Sequence, residues 1–293
     1  MREVEVVHPG VLSLIQDDGR RGLAFYGIPA SGHLDPGAAH RANLAVCNPA
    51  SHPLIECHLV APKLLFRHAV HFAVTGVNFD WMIDGESVER GRAVHAGPGS
   101  VLSGKGGIDG ARGYVAVRGR LECRLDHGSA ATYTYAGLGG LDGRPLAKGD
   151  VIRVLPAEEA LVAPAVEDRD GNPSPDTAGL PKIGILPGPE WDSLTDGARQ
   201  ELVSSQFTIA MNSDRMGARL SGTTLSLRPS ARMATVPLLP GTVQVPGSGA
   251  PIVVLADGQT TGGYPRVAVL PRVELAKFNQ IPPGREFGFH RLR

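Results

Sequence analysis

Cysteine, long apolar runs and excess charge of either sign are what this sequence has little of. Its three cysteines, Cys47, Cys57 and Cys123, are an odd number without CxxC spacing. That excludes a disulfide framework and suits a reduced, cytoplasmic setting. Lys and Arg total 29, Asp and Glu total 29, and no basic run of five occurs. Nucleic acid is therefore not expected as a partner. No stretch approaches the roughly 18 apolar residues of a membrane span, so no membrane association is expected. The opening MREVEVVHPG has no apolar signal region. Ten histidines occur, but no HExxH or other tight ligand spacing, so no metal is expected. The absence of a GxSxG elbow leaves a serine or cysteine nucleophile unsupported.

What is abundant is glycine, with 38 residues, and proline, with 24. Short apolar runs lie between them, which predicts a mainly β fold with a few short helices. A length of 293 residues allows one large or two modest domains. The segment 156–181 is rich in Pro, Ala, Glu and Asp and reads as a linker. It divides an N-terminal domain, 1–155, from a C-terminal domain, 182–293. Asp35 before Pro36 predicts a helix start, with Ala38, Ala42 and Ala45 on its buried face and Asn48-Pro49 as its stop. Thr195 is placed to cap a second helix, and 271–280 reads as a third. Asp84-Gly85 marks a hairpin. Ser103–Arg112 reads as a glycine-rich surface loop.

The polar residues that could carry chemistry fall at strand ends. Gln16-Asp17-Asp18-Gly19-Arg20 follows a strand. Arg20 offers a planar fork for carboxylate or phosphate, and Asp17 could orient it; a loop ion pair is the plain structural alternative. Asp35 is explained as a helix cap, and Asn43 lies two turns further along that helix. Glu56 sits between Ile55 and Cys57 in an apolar strand. A carboxylate there is buried and paired, or lies on a solvent face. Arg112 and Arg118 bracket a strand and are candidates for an anionic group. Ser129 and Thr132 belong to a small-residue loop whose N–H groups could bind an anion. Asp214 and Arg215, in SDRMG, form a second acidic-basic pair. Gln244, Asp257, Gln259, Thr260, Thr261 and Tyr264 crowd the segment 241–265, around an Ile-Val-Val-Leu run that reads as a buried strand. Amide and hydroxyl groups of this kind suit a small polar ligand such as a lactam or a ureido ring.

Several of these stretches stand in a specific order. They are PGVLSLIQDDGRRG (9–22), IPASGHLDPGAAHRANLAV (28–46), LIECHLVAP (54–62), ARGYVAVRG (111–119), HGSAATYTYAGLGGLDGRPLAKGD (127–150), SDRMGARL (213–220) and GTVQVPGSGAPIVVLADGQTTGGYPRVAV (241–269). In this order the chain resembles the family of the 5-oxoprolinase C-type subunit. That family includes allophanate hydrolase subunit 2, the antagonist of the sporulation kinase inhibitor, and part of the carboxyltransferase domain of urea carboxylase. The chain departs from the family's pattern at Ser129-Ala130-Ala131-Thr132, where a doubled Ser/Thr pattern is usual, and at Gly119-Arg120, where a glycine pair is usual.

The resemblance implies two β-barrel domains related to the cyclophilin-like fold. It implies an ATP-dependent opening of 5-oxoproline to L-glutamate, shared with a B-type and an A-type subunit, with ATP bound among the partners. Asp17, Arg20, Glu56, Asp214 and Arg215 would then be the catalytic candidates. Asp35, Asn43, Arg112, Gln244, Asp257, Gln259, Thr260, Thr261 and Tyr264 would contact substrate. Two alternatives stay open: a carboxyltransferase half-site using biotin on a separate carrier, and a regulatory binding protein without catalysis.

Overall fold

Glycine and proline cut the chain into strands two to seven residues long, some alternating in burial, such as Val151–Leu155, and others buried on both faces. A computed structural model describes residues 1–76, 79–105, 110–157, 179–229 and 233–292, the side chain of Lys105 excepted. The fold is mainly β, with three α-helices among the described residues. Contacts divide the chain into two units. One comprises Met1–Arg20 and Ser31–Ser174; the other comprises Arg21–Ala30 and Pro175–Arg293. Most of the segment read as a linker, 158–178, lies outside the described residues.

The first unit contains two antiparallel sheets. The smaller has the spatial order Leu12–Gln16, Leu54–His58, Arg112–Val117, Val70–Gly76, Val94–Ala96. Every residue of its central strand, Arg112–Val117, is buried, so both faces are covered. One face presents Ile15, Ile55, Val74 and Val115 to an apolar core shared with Val4, Leu64, Phe66 and Ile152 of the larger, seven-stranded sheet. The other face presents Leu54, Ala73, Tyr114 and Ala116 to helix α1, Pro36–Ala45. The helix meets it with Ala38, Ala39, Ala42 and Ala45, small enough to bring the helix close to the sheet. Full burial of a side chain such as Leu54 is worth about 2 kcal/mol. Thr75 Oγ1 donates to the Ala38 carbonyl at 2.7 Å and ties the two together.

The start of α1 is as the sequence reads. Asp35 accepts from the Ala38 N–H at 3.1 Å and Pro36 occupies the first turn. The Asp84-Gly85 hairpin also forms, with φ of 51° and 91°, the left-handed pair of a tight turn that follows strand twist. The loop read over Ser103–Arg112 is shorter at both ends. Strand Val101–Lys105 takes its first residues by pairing with Asp80–Ile83, and Arg112 opens the buried central strand. Residues 106–109 lie outside the described residues.

The second unit is a closed barrel in the order Lys182–Pro187, Arg266–Val269, Thr242–Gln244, Ile252–Val254, Gly217–Gly222, Gln206–Ile209, Glu286–Arg291. Parallel pairing of its first and last strands, Ile183 opposite Phe289, closes it. Phe207, Phe287 and Phe289 fill its interior, with the last two rings edge to face at 5.2 Å. Helix α2, Asp196–Ser204, is capped by Thr195, whose hydroxyl accepts from the Ala198 N–H at 3.2 Å. Helix α3 covers Arg272–Asn279. No helix among the described residues is long and apolar enough to cross a membrane.

Candidate functional site

In the first unit the polar groups gather where strand Leu12–Gln16 ends and α1 begins. Asp17 is held by three donors. Its Oδ1 accepts from the Gly19 N–H at 2.8 Å and from Ser129 Oγ at 2.6 Å, and its Oδ2 accepts from the Ala130 N–H at 2.6 Å. The small-residue loop does bind an anion, and that anion is the chain's own Asp17. Thr132 donates its hydroxyl to the Ile15 carbonyl at 2.7 Å, and Gln16 Nε2 donates to the Thr132 carbonyl at 3.0 Å. Arg20 is buried, and its Nη2 donates to the Ala131 carbonyl. Asp17 and Arg20 therefore both grip the loop that carries Ser129.

Glu56 is buried on the α1 face of the small sheet, in the cross-strand row Leu14, Glu56, Tyr114, Thr75. Its Oε2 accepts from the Leu34 N–H at 2.9 Å and from the Tyr114 hydroxyl at 3.0 Å. The same hydroxyl accepts from the Asp35 N–H at 2.8 Å. Two donors on one oxygen offset part of the cost of burying the carboxylate. Burial, then the Glu56 charge, pushes the Tyr114 phenol well above its ordinary range, so it stays a donor. Arg112 opens the strand that carries Tyr114, and its charge opposes that shift. The cap residue Asp35, Glu56 and Arg112 thus converge on Tyr114.

Between these two groups lies His33, which is 6% exposed. Its backbone N–H donates to the Asp17 carbonyl at 3.1 Å. Its ring stands edge-on to Tyr114 at 6.0 Å and to His40 at 6.1 Å. Burial drives its pKa down to about 4 against the pull of Glu56, Asp18 and Asp17, so the imidazole is neutral at pH 7. His40 contacts Asp18 at 2.6 Å, nearer the surface. Asn43 stands apart from this cluster. Its amide donates to the Ala50 and His52 carbonyls at 3.0 and 2.8 Å and holds the turn after α1.

In the second unit the structure brings Arg215 and Asp257 together. Arg215 Nε donates to Asp257 Oδ2 at 2.9 Å and Nη2 to Oδ1 at 3.3 Å, with both side chains buried. The Asp257 N–H donates to the Arg215 carbonyl at 2.9 Å, which locks the two segments a second time. Asp214 is exposed and closes its own turn, accepting from the Met216 and Gly217 N–H groups at 2.8 and 3.1 Å. Gln244 is buried and its Nε2 donates to the Tyr264 carbonyl at 3.2 Å. Gly262 lies against it: a Cβ there would meet Leu238 at 2.7 Å and Gln244 Nε2 at 3.0 Å. Gln259, Thr261 and Tyr264 are exposed and Thr260 partly so, on the turn that Asp257 begins. That turn offers amide and hydroxyl groups on a rigid base.

His33 and Tyr114 are the residues that reading the sequence did not single out. Tyr114 looks like one more apolar strand residue, and its hydroxyl role needs the register that sets it beside Glu56. His33 carried a signal in its place just before the Asp35 cap. Burial pushes the Cys57 thiol far up and that of Cys123 to about 11, which disfavours the thiolate at both. No group of three or more His, Cys, Asp or Glu among the described residues is arranged to hold a metal ion.

Known proteins share this plan. The family described as carboxyltransferase domain, subdomain A and B, matches residues 26–291. The C-type subunit of 5-oxoprolinase from Escherichia coli (strain K12) is 33% identical over 288 residues, covering 98% of this chain and 90% of that protein. Its counterpart of the same name from Haemophilus influenzae is 32% identical over 279 residues, covering 94% of this chain and 86% of its own. Among solved structures, the urea carboxylase of Kluyveromyces lactis superposes with a TM-score of 0.90 at 26% identity. That match covers 99% of this chain and 27% of the larger one.

Proposed function

The chain belongs to the carboxyltransferase domain family, subdomains A and B, and on that premise we propose that it is the C-type subunit of an ATP-dependent 5-oxoprolinase. It would act in the cytoplasm, joined to a B-type subunit and completed by an A-type subunit. The observation that carries this reading is the extent of the likeness. The match to the Escherichia coli protein runs along 98% of this chain and 90% of that one.

The chemistry asked of such a complex is the opening of a lactam, a poor electrophile. Transfer of a phosphoryl group from ATP to the lactam oxygen makes the carbon attackable. Water then adds, the C–N bond breaks and phosphate leaves, giving L-glutamate. Groups that stabilise charge on the oxygen in the transition state are worth several kcal/mol when preorganised. In this chain Glu56 and the neutral His33 offer acid-base and hydrogen-bonding groups. The Gln244 and Gln259–Thr261 segments offer amide and hydroxyl groups for a lactam edge.

The test is ATP hydrolysis by the three co-expressed subunits, with and without 5-oxoproline, each subunit omitted in turn. Turnover that requires 5-oxoproline and all three supports the reading. Turnover that persists without this chain rejects it.

A second reading is favoured by the superposition on a urea carboxylase. There the chain would form a carboxyltransferase half-site, receiving a carboxyl group from biotin on a separate carrier and passing it to urea. Urea-dependent turnover with a biotinylated carrier, and none with 5-oxoproline, would favour it. Persistent partner binding without turnover in either assay would favour a regulatory role.

A further inference from the structure

A buried histidine ordinarily finds a hydrogen-bond partner for each ring nitrogen, because leaving one unmade costs about 1–3 kcal/mol. Among the described residues, neither Nδ1 nor Nε2 of His33 has such a partner. The hydroxyl of Ser31, two residues before, has none either. Ser31 and His33 are 8% and 6% exposed. They flank Gly32 in a bend where Ser31 has φ 56° and Gly32 has φ 91°, a conformation that non-glycine residues avoid. The bend is pressed onto the Asp17 loop: a Cβ on Gly32 would meet the Asp17 carbonyl at 2.8 Å and the Gly19 nitrogen at 2.9 Å. A strained turn therefore holds two unsatisfied polar side chains in place. Such a combination marks a site whose partner is a ligand.

The charges around His33 limit what that ligand can be. Glu56 faces it from strand Leu54–His58, and Asp17 and Asp18 from the loop after strand Leu12–Gln16. From α1 it is faced by His40, already paired with Asp18, and from the central strand by the uncharged ring of Tyr114. Three carboxylates disfavour an anionic group at this spot and favour one rich in N–H. A neutral imidazole supplies one donor and one acceptor, and a serine hydroxyl can act as either.

We infer that Ser31 and His33 are a ligand-contacting pair of the first unit, taking the N–H and C=O groups of an uncharged amide function, with any carboxylate the ligand carries, as 5-oxoproline does, directed away from Glu56, Asp17 and Asp18. The amide class rests on the proposed function, where it is a lactam or urea. The placement of the pair rests on the geometry alone.

Two measurements on the full chain test it. The first is thermal stability. A histidine kept for a ligand is a cost to the free fold, so His33→Leu should raise Tm, and a fall in Tm overturns the inference. The second is the NMR spectrum of ¹⁵N-histidine-labelled protein titrated with millimolar 5-oxoproline and, separately, urea. A saturable shift of the His33 ring nitrogens with either probe is expected. Ser31→Ala should then weaken the apparent Kd about ten-fold, the loss of one hydrogen bond. His33→Asn, which keeps a donor and an acceptor, should bind more tightly than His33→Leu. No shift with either probe overturns the inference. A shift with urea alone leaves the pair standing and removes 5-oxoproline as the substrate.

Discussion

Asp257 and Arg215 face each other through two parallel hydrogen bonds inside the second unit, and their backbones are joined by a third. The pair fixes the start of the turn that carries Gln259, Thr260 and Thr261. Removing one partner leaves a buried charge without its counterion. Arg215→Met alone, or Asp257→Leu alone, should cost about 3–5 kcal/mol, while the double variant regains much of it. Urea denaturation of the three proteins measures this. Additive losses in the double variant would show that the pair is not coupled.

Asp35 caps α1, and one substitution separates that duty from a role at the site. Its loss to Ala should cost about 1 kcal/mol. Asp35→Ser keeps an accepting oxygen at that position and should keep the stability. If Asp35→Ser is stable but the reconstituted complex is slow, the carboxylate serves the site as well as the helix. If it is stable and fully active, Asp35 is a cap alone.

Stability should fall in mild acid through His33. Its pKa is about 4 in the folded chain and about 6.5 when unfolded, so between these values the unfolded chain binds more protons. The contribution is therefore fully present above pH 6.5 and is lost as pH drops towards 4, about 3 kcal/mol in all. Denaturation midpoints at pH 7 and pH 4.5 check it. In His33→Leu the slope across that window should flatten.

Ser129 links the small-residue loop to Asp17 at 2.6 Å. Ser129→Ala removes one of three donors from a carboxylate and should cost about 1.5–3 kcal/mol, the range for hydrogen bonds to charged groups. Ser129→Thr should restore most of it. Equal stability of Ser129→Ala and the parent chain would show that the other two donors suffice.

The sequence made the local rules readable. Asp35 with Pro36, Thr195, and Asp84-Gly85 each announce a cap or a turn through the chemistry of one or two residues, and each forms. Glu56 in an apolar strand left two readings, a buried, paired carboxylate or one on a solvent face, and the structure has the first. What could not be read was register. Tyr114 reaches Glu56 only because Arg112–Val117 pairs with Leu54–His58 in one alignment, and a slip of one residue would turn its ring to the other face. Asp17 offered a similar difficulty. Its three donors come from Gly19, Ser129 and Ala130, and two of those lie more than a hundred residues away. Asn43 shared a helix with Asp35, but its amide is spent on the turn at 50–52.

Whether this chain is a 5-oxoprolinase subunit is tested by L-glutamate release from 5-oxoproline and ATP by the co-purified subunits, compared with the same mixture lacking this chain. A 5-oxoprolinase that needs this chain forms glutamate in step with ATP consumed, and none when this chain is left out. Equal glutamate in both mixtures, or urea-dependent turnover in place of it, would show that this chain is not a 5-oxoprolinase subunit.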